Sequence, residues 1–487
     1  MREVADVCVV GGGPAGLTAA LTLGAQGRSV ILLESGEPSP SSSAQELNEG
    51  EVEGAAYAGV GRTRHRQLGG TANIWDVNVE RRRGAKYVPL TATDLADWPI
   101  DRGDLEPFYV EAQRLCGLGP LEYGAAFWGT ASRRPFALSG TGLTSGVYQF
   151  GYAERFVREI VDEIRALESV AIITSATAVA LVATHGGQAI HEVRAVAGDG
   201  RRIGVKARVF VLACGAVENA RLLLLGPIDG VRSKWIGRCF MEHARDFSLS
   251  LVPPSGELFA AAAFYDAWVS SDGSRIGGHL QVTEEALRSL DLPNAAMTLV
   301  PRAHGWRSRR LVRRAPRRLR RRLDIPAHGR YGWSTVRSAG AVFDSFDLVL
   351  NVEQRPSPRN RVELSTRRDR LGNPLPRLVL QWTPEEQERL ELLRKLLREW
   401  FGAAGLGRLI VTPGLPPDLN AHHHAGTVRM AVDATEGVVD VTGRVFGVEN
   451  LYVTGAAVFP SAGFANPTLT VVALARRLGL HLDAVLG

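Results

Sequence analysis

The spacing of apolar positions changes several times along this 487-residue chain, and each change marks an element. The first is an unbroken run, Val7, Cys8, Val9 and Val10, directly after Asp6. A run this short, with no polar alternation, predicts a strand buried on both faces. Small apolar residues from Leu17 to Leu23 then read as a helix, and SVILLES as a second buried strand ending at Glu34. Strand, helix and strand at this spacing predict a parallel βαβ unit. Further on, a helix running to Leu115 has Asp104 as its candidate cap. In a second helix Phe156, Ile160, Ile164 and Leu167 form one stripe. Strand-like runs SVAIITSATAVALVAT, AIHEVRAVAG and KARVFVLACG follow, and the last, turning into a helix, predicts another strand of the first sheet.

From about Ile236 helical periodicity weakens. FSLSLV, AAAFYDAWV, HLQVT, FDLVLNVEQ, RVELST and RLVLQW read as strands of a second, antiparallel lobe. One clear helix interrupts this region. Thr383 and Glu386 make a capping box, Pro384 takes the first helical position, and Leu390, Leu393, Leu397 and Trp400 form its stripe. The chain closes with a short apolar strand, Leu451 to Val453, two bends and an apolar helix. The length itself calls for two lobes.

Composition narrows the class. No apolar run reaches the roughly 18 residues of a membrane span, and the start lacks a signal-peptide pattern. Cys8, Cys116, Cys214 and Cys239 are scattered without a C-x-x-C, which fits a reducing cytoplasmic setting better than a disulfide framework. The formal charge of +6 is local. Residues 307–322, from Arg307 through Arg322, hold ten arginines and no acid, and the remainder of the chain is net acidic. This segment reads first as a solvated surface helix or loop. Its other reading is a peripheral contact with an anionic surface. Nucleic acid is disfavoured, because aromatics for base stacking are absent from the run.

Candidate chemistry sits at the two ends. Gly11, Gly13 and Gly16, with Pro14 and Ala15 between them, occupy the G-x-G-x-x-G positions after the first strand. There glycine permits the tight turn and lets the backbone approach a pyrophosphate at a helix N-terminus. Glu34 lies 23 residues after Gly11, the right distance for a ribose-binding carboxylate. The motif alone does not separate FAD from NAD. A polar loop with Gly69 and Gly70 could lie against a flat ring or phosphate. Near the C-terminus, His422, His423 and His424 precede Gly426 and Thr427, and Asn466 precedes Pro467. No carboxylate or cysteine set accompanies the histidines, so a metal is not expected.

These stretches together resemble the glucose–methanol–choline (GMC) family of FAD oxidoreductases, over nearly the whole chain. The resemblance rests on GGGPAG, LGGTANIW, ACGAVENARLLL, IGRCFMEH and HHAGT…VFGVENLYVTGAAVFP…NPTLT. The LGG-T-x-N-x-W form and the NPT ending are similar to the branch with pyranose oxidase and bacterial sugar and glycoside oxidoreductases. The resemblance implies a Rossmann-like α/β FAD-binding domain, residues 1–235 and 425–487, and an α+β substrate-binding domain with an antiparallel sheet, residues 236–424. It implies that Gly11, Gly13, Gly16 and Glu34 hold the ADP half. Gly69, Gly70, Thr71, Asn73, Trp75 and Asp76 would pass the flavin, and Ala178 would meet the adenine. Gly455, Ala456, Pro467 and Thr468 would contact the flavin end and the pyrophosphate. His423 would be the catalytic base and Asn466 its partner.

The implied reaction is oxidation of a CH–OH group to a carbonyl, with hydride passing to flavin N5 and the proton to His423. The substrate would be a small-molecule alcohol: a sugar, glycoside or aminocyclitol hydroxyl in bacterial secondary metabolism. The acceptor would be O2 or another oxidant. Preference for Arg over Lys fits a high-GC bacterial gene. Ile74 stands where some relatives carry a flavin-linking histidine, so non-covalent FAD is expected. Asp76 stands where relatives carry a small hydroxyl residue, which would alter oxygen reactivity. Two alternatives share these motifs: a GMC-like hydroxynitrile lyase with structural FAD, and an NADPH-dependent flavin monooxygenase.

Overall fold

The computed structural model describes residues 4–79, 82–226, 233–303, 332–335 and 339–487. The arginine-rich segment 307–322 lies outside them.

A five-stranded parallel sheet organises one side. Its order is Leu451–Val453, Ala207–Leu212, Ala5–Val10, Val30–Leu33 and Val170–Ile173. These strands carry the continuous apolar runs expected of a sheet covered on both faces, and Val7, Cys8 and Val9 are fully buried. Two helices run across the sheet together, Pro14–Ala25 and Thr468–Leu486. They approach closely because Gly479 has no side chain. A Cβ there would lie 2.6 Å from the Thr22 methyl carbon. The first and last segments of the chain are thus packed as neighbours, and this places both ends of the sequence at one site.

The second large element is a nine-stranded, mainly antiparallel sheet. It contains Ala244–Val252, Arg275–Val282 and Phe343–Val352, as the alternating segments predict, and also Ala295–Ala303, which the sequence reading did not single out. It also recruits Val77–Val79, Arg82–Tyr87 and Leu143–Tyr152, which the sequence reading placed before the boundary at residue 236. Conversely, Arg361–Arg368 and Pro374–Leu380 leave it and pair with Glu51–Gly54 in a separate three-stranded sheet. Alternation reveals that a strand is half buried; it carries no information about a partner 130 residues away. A further correction concerns residues 261–269, read as one strand. The chain there forms a 3₁₀ turn, Ala262–Tyr265, before a short strand Ala267–Val269. The buried Asp266 carboxylate anchors that bend by accepting from the N–H groups of Ala267, Gly332 and Ser334.

The helix Pro384–Ala403 begins as expected, with the Thr383–Glu386 capping box formed. Its buried stripe is Leu390, Leu393, Leu397 and Phe401, with Arg394 among them. Arg394 makes a two-pronged pair with Asp246, at 2.8 and 2.9 Å, and both side chains are buried. The helix Arg102–Leu115 is capped by Asp101 rather than Asp104. Asp104 is the reciprocal member of that box, one turn in.

Candidate active site

The site is built around a long cleft between the parallel sheet and the C-terminal bends. At one end the first strand turns at Gly11, whose φ of +107° is left-handed territory that favours glycine. A Cβ on Gly16 would lie 1.8 Å from the Gly11 carbonyl oxygen, so helix and turn can close only with glycine there. Gly11, Gly13, Pro14 and Ala15 line the cleft, and Gly16 supports them from behind. The helix starting at Pro14 has neither a side-chain cap nor an acidic residue in its first turn, and the same holds for the helix starting at Thr468. Both N-termini border the cleft through Pro14 and Thr468. They offer N–H donors and positive dipole ends to an anionic or electron-rich group.

Glu34 closes the far wall. Its carboxylate accepts from the N–H of Gly12 at 2.7 Å and of Gly36 at 2.6 Å. Burial pushes its pKa up, and these N–H donors pull against that. Ala178 borders the same end. Arg64 and Arg66 also face the cleft, held by Glu218 at 2.5 and 3.3 Å. Burial alone would raise the Glu218 pKa; Arg64, Arg66 and Arg221 overcome it and bring it to about 2. The polar loop read from sequence is therefore anchored by a buried ion network at the site.

In the middle, Gly70, Thr71 and Trp75 line the cleft, and Gly69, Asn73 and Asp76 do not. Within the polar loop, residues Gly70–Ile74 form a single 3₁₀ turn. Asn73 holds that turn by donating to the carbonyls of Leu68 and Gly70. Gly69 donates its N–H to Gly12, which ties the loop to the glycine turn. The charge of Asp76 acts on His422. Gly455, Ala456 and Pro467 line the opposite side.

The histidines stand at the far end. His423 lines the cleft, and its Nδ1 lies 2.8 Å from Nδ1 of His243. His243 is buried, and its Nε2 lies 2.7 Å from the Gly463 carbonyl. Two antiparallel segments carry the pair, joined by reciprocal backbone bonds between Met241 and Ala425. Glu242 ties them further, since its Oε1 accepts the backbone N–H of both His243 and His423. Its Oε2 accepts from Tyr57, whose hydroxyl also meets Nε2 of His424 at 2.5 Å. The three consecutive histidines thus diverge, His423 toward His243 and His424 toward Tyr57. Burial lowers the pKa of His423 well below the ordinary value, and the charges of His243, Lys86, Arg245 and His422 add to this. Burial likewise brings His243 to about 4 and raises Glu242 to about 8.

Asn466 sits one residue before Pro467, outside the lining of the cleft, and its Oδ1 is buried with no partner among the described residues. An orphaned acceptor there calls for a ligand donor. The polar face of the nine-stranded sheet comes up against the same bend. His279 stacks on Tyr148 at 4.1 Å and contacts Phe464, and Asn351 donates to the Phe464 carbonyl at 2.5 Å.

Two family models match the chain, and they fall on the two halves of this cleft. A FAD-binding domain matches residues 4–122, and the GMC oxidoreductase C-terminal model matches residues 356–475. The chain is a GMC oxidoreductase. Its fold resembles those of two solved oxidases. Pyridoxine 4-oxidase from Mesorbium loti superposes with a TM-score of 0.55 at 17% identity, covering 98% of this chain and 99% of that one. A formate oxidase from Aspergillus oryzae RIB40 gives 0.53 at 15% identity, over 99% of each chain. Among curated sequences, 6'''-hydroxyparomomycin C oxidase from Streptomyces lividus is 25% identical over 99% of this chain and 92% of its own. Paromamine 6'-oxidase from Streptomyces fradiae is 27% identical over 56% of this chain and 45% of its own. C-glycoside 3-oxidase from Arthrobacter globiformis is 34% identical over 23% of this chain and 22% of its own.

This GMC oxidoreductase is an FAD-dependent alcohol oxidoreductase acting on CH–OH groups. The residues present fit FAD. At Gly13 the nearest atom to a Cβ would be the Gly70 Cα at 3.9 Å, so glycine leaves backbone, not side chain, facing the cleft. Two uncapped helix N-termini and the Glu34 carboxylate suit the polar parts of a dinucleotide. Among the described residues, no helix is long and apolar enough to cross a membrane.

His243 and Glu242 lie in IGRCFMEH, a stretch whose residues have no assigned role at the level of sequence. The adjacent acid and histidine were the available signal. Their importance depends on contact with His423, 180 positions away.

Proposed function

We propose that this protein oxidises a hydroxyl of a sugar, glycoside or aminocyclitol to a carbonyl, with His423 as base and Asn466 as its positioning partner. The observation that carries the reading is the placement of His423. It lies in the same cleft as the glycine turn and the Thr468 helix N-terminus, beside a bend where Asn466 has an unmet acceptor. FAD supplies the hydride acceptor when bound. His423, kept neutral by burial, takes the hydroxyl proton; imidazole is the side chain suited to this near neutral pH. Asn466 holds the substrate oxygen so that its carbinol hydrogen faces the acceptor. The curated relatives, named as oxidases of aminoglycosides and a C-glycoside, support the substrate class. Ile74 offers no nucleophile to the cofactor, so acid precipitation should release all the flavin into the supernatant.

The test is anaerobic flavin absorbance against a panel of aminoglycosides, C- and O-glycosides, free sugars and simple alcohols. Bleaching by the glycosidic members supports the reading. Bleaching by simple alcohols alone, or only by NADPH, overturns it. Fast recovery in air marks an oxidase, and slow recovery marks a dehydrogenase with another acceptor.

A further inference from the structure

We propose that His243 is a positioning residue: its ring fixes His423 as the Nδ1–H tautomer and leaves Nε2 of His423 as the proton acceptor. The proposal rests on the reading of His423 as the base and assigns the atom that does the work.

The argument is a donor count. The Gly463 carbonyl can only accept, so the 2.7 Å contact requires a proton on Nε2 of His243. A neutral imidazole has one N–H, so Nδ1 of His243 is then a lone pair. A second proton on this ring is disfavoured, because the side chain is buried and, among the described residues, its ring nitrogens meet only His423 and the Gly463 carbonyl, not a carboxylate. Nδ1 of His423 must therefore be the donor across the 2.8 Å contact. That fixes the tautomer, and Nε2 of His423 carries the free pair. Among the described residues nothing bonds to that Nε2, and His423 lines the cleft.

The backbone supports the arrangement. Glu242 accepts the main-chain N–H of both residues, and the Met241–Ala425 bridge fixes the spacing of their segments. In the reaction the substrate O–H bond breaks and an N–H bond forms at Nε2 of His423. The electron pair of the carbinol C–H would pass as hydride to FAD when it is bound, as the carbonyl forms. The resulting imidazolium keeps its Nδ1–H directed at His243. The outer partner of a catalytic imidazole commonly orients it in this way, and a wrong tautomer costs up to about 10⁴ in rate.

The test combines ¹⁵N-histidine NMR of the flavin-loaded protein with two variants. Signals are assigned by loss in H423Q and H243N. The expected spectrum has a protonated Nδ1 and a pyridine-like Nε2 for His423, and the reverse for His243. H243N retains an acceptor opposite His423 Nδ1, so its kcat should stay within several-fold of wild type. H243L removes that acceptor, and its kcat should fall by about 10² or more with KM little changed. A pyridine-like Nδ1 on His423, or wild-type kcat in H243L, overturns the proposal. If H243L fails to fold, the wild-type spectrum and H243N decide. Wild-type kcat in H423Q removes the base reading itself. A large loss in H423Q beside an unaffected H243L overturns only the role of His243.

Discussion

His423 and Asn466 are separated by the strand Leu451–Val453 in sequence; His423 lines the cleft, and Asn466 precedes Pro467, which lines it too. Asn466→Ala should reduce kcat by about 10²-fold, the scale of a positioning loss, with unchanged flavin content; an unaffected kcat would remove Asn466 from the site. The pH profile is set by His423. The groups acting on it are His243, Lys86, Arg245 and His422, while Glu242 holds its backbone N–H. Burial and the neighbouring Lys86 and Arg245 cations favour the neutral ring, which is the competent base. The acid limb of kcat/KM should therefore lie below the ordinary histidine value of 6.5, and a limb at or above it contradicts this account. Residues whose role is a backbone requirement were legible in the sequence, such as Gly11, Gly13 and Gly16, because spacing alone expresses that requirement. His243, Glu242 and Tyr57 were not, because their roles exist only once distant segments meet.

The elements that seat the cofactor depend on close approach. Gly16→Ala would drive a methyl into the Gly11 carbonyl, so the purified protein should carry little or no flavin; full flavin content would show that the turn can relax. On the other sheet, Asp246→Ala leaves the Arg394 guanidinium buried without its two-pronged partner. Breaking such a pair costs about 3–5 kcal/mol, and a clear fall in melting temperature is the expected result. The Thr383–Glu386 box and the first βαβ unit were legible because their signals are local. Sheet membership was not. Leu143–Tyr152 and Pro374–Leu380 are both strands, yet they join different sheets, and only long-range registry separates them.

For the whole molecule, buried histidines and acids set opposite limits on stability. Burial lowers His243 to about 4 and His279 and His424 to about 3, and it lowers His423 as well. Their stabilising contribution is complete above 6.5 and is lost as pH falls from there toward 4 and below. Glu242, raised to about 8, and Glu353, raised to about 7, act in the other direction: their contribution is lost as pH rises through those values. Between 6.5 and 8 the histidines are neutral in both states while Glu242 and Glu353 still lose their contribution. The melting temperature of the flavin-loaded protein should therefore fall over that range, and a steady rise from 6.5 to 8 would contradict these assignments. The central claim is that His423 accepts the proton of the substrate hydroxyl in an FAD-dependent oxidation. It is tested most directly by the rate of anaerobic flavin bleaching in wild type and H423Q, with the panel member that bleaches the wild type. The account predicts a rate lower by about 10²–10⁴ in H423Q at equal flavin content. Equal rates in the two proteins would contradict it.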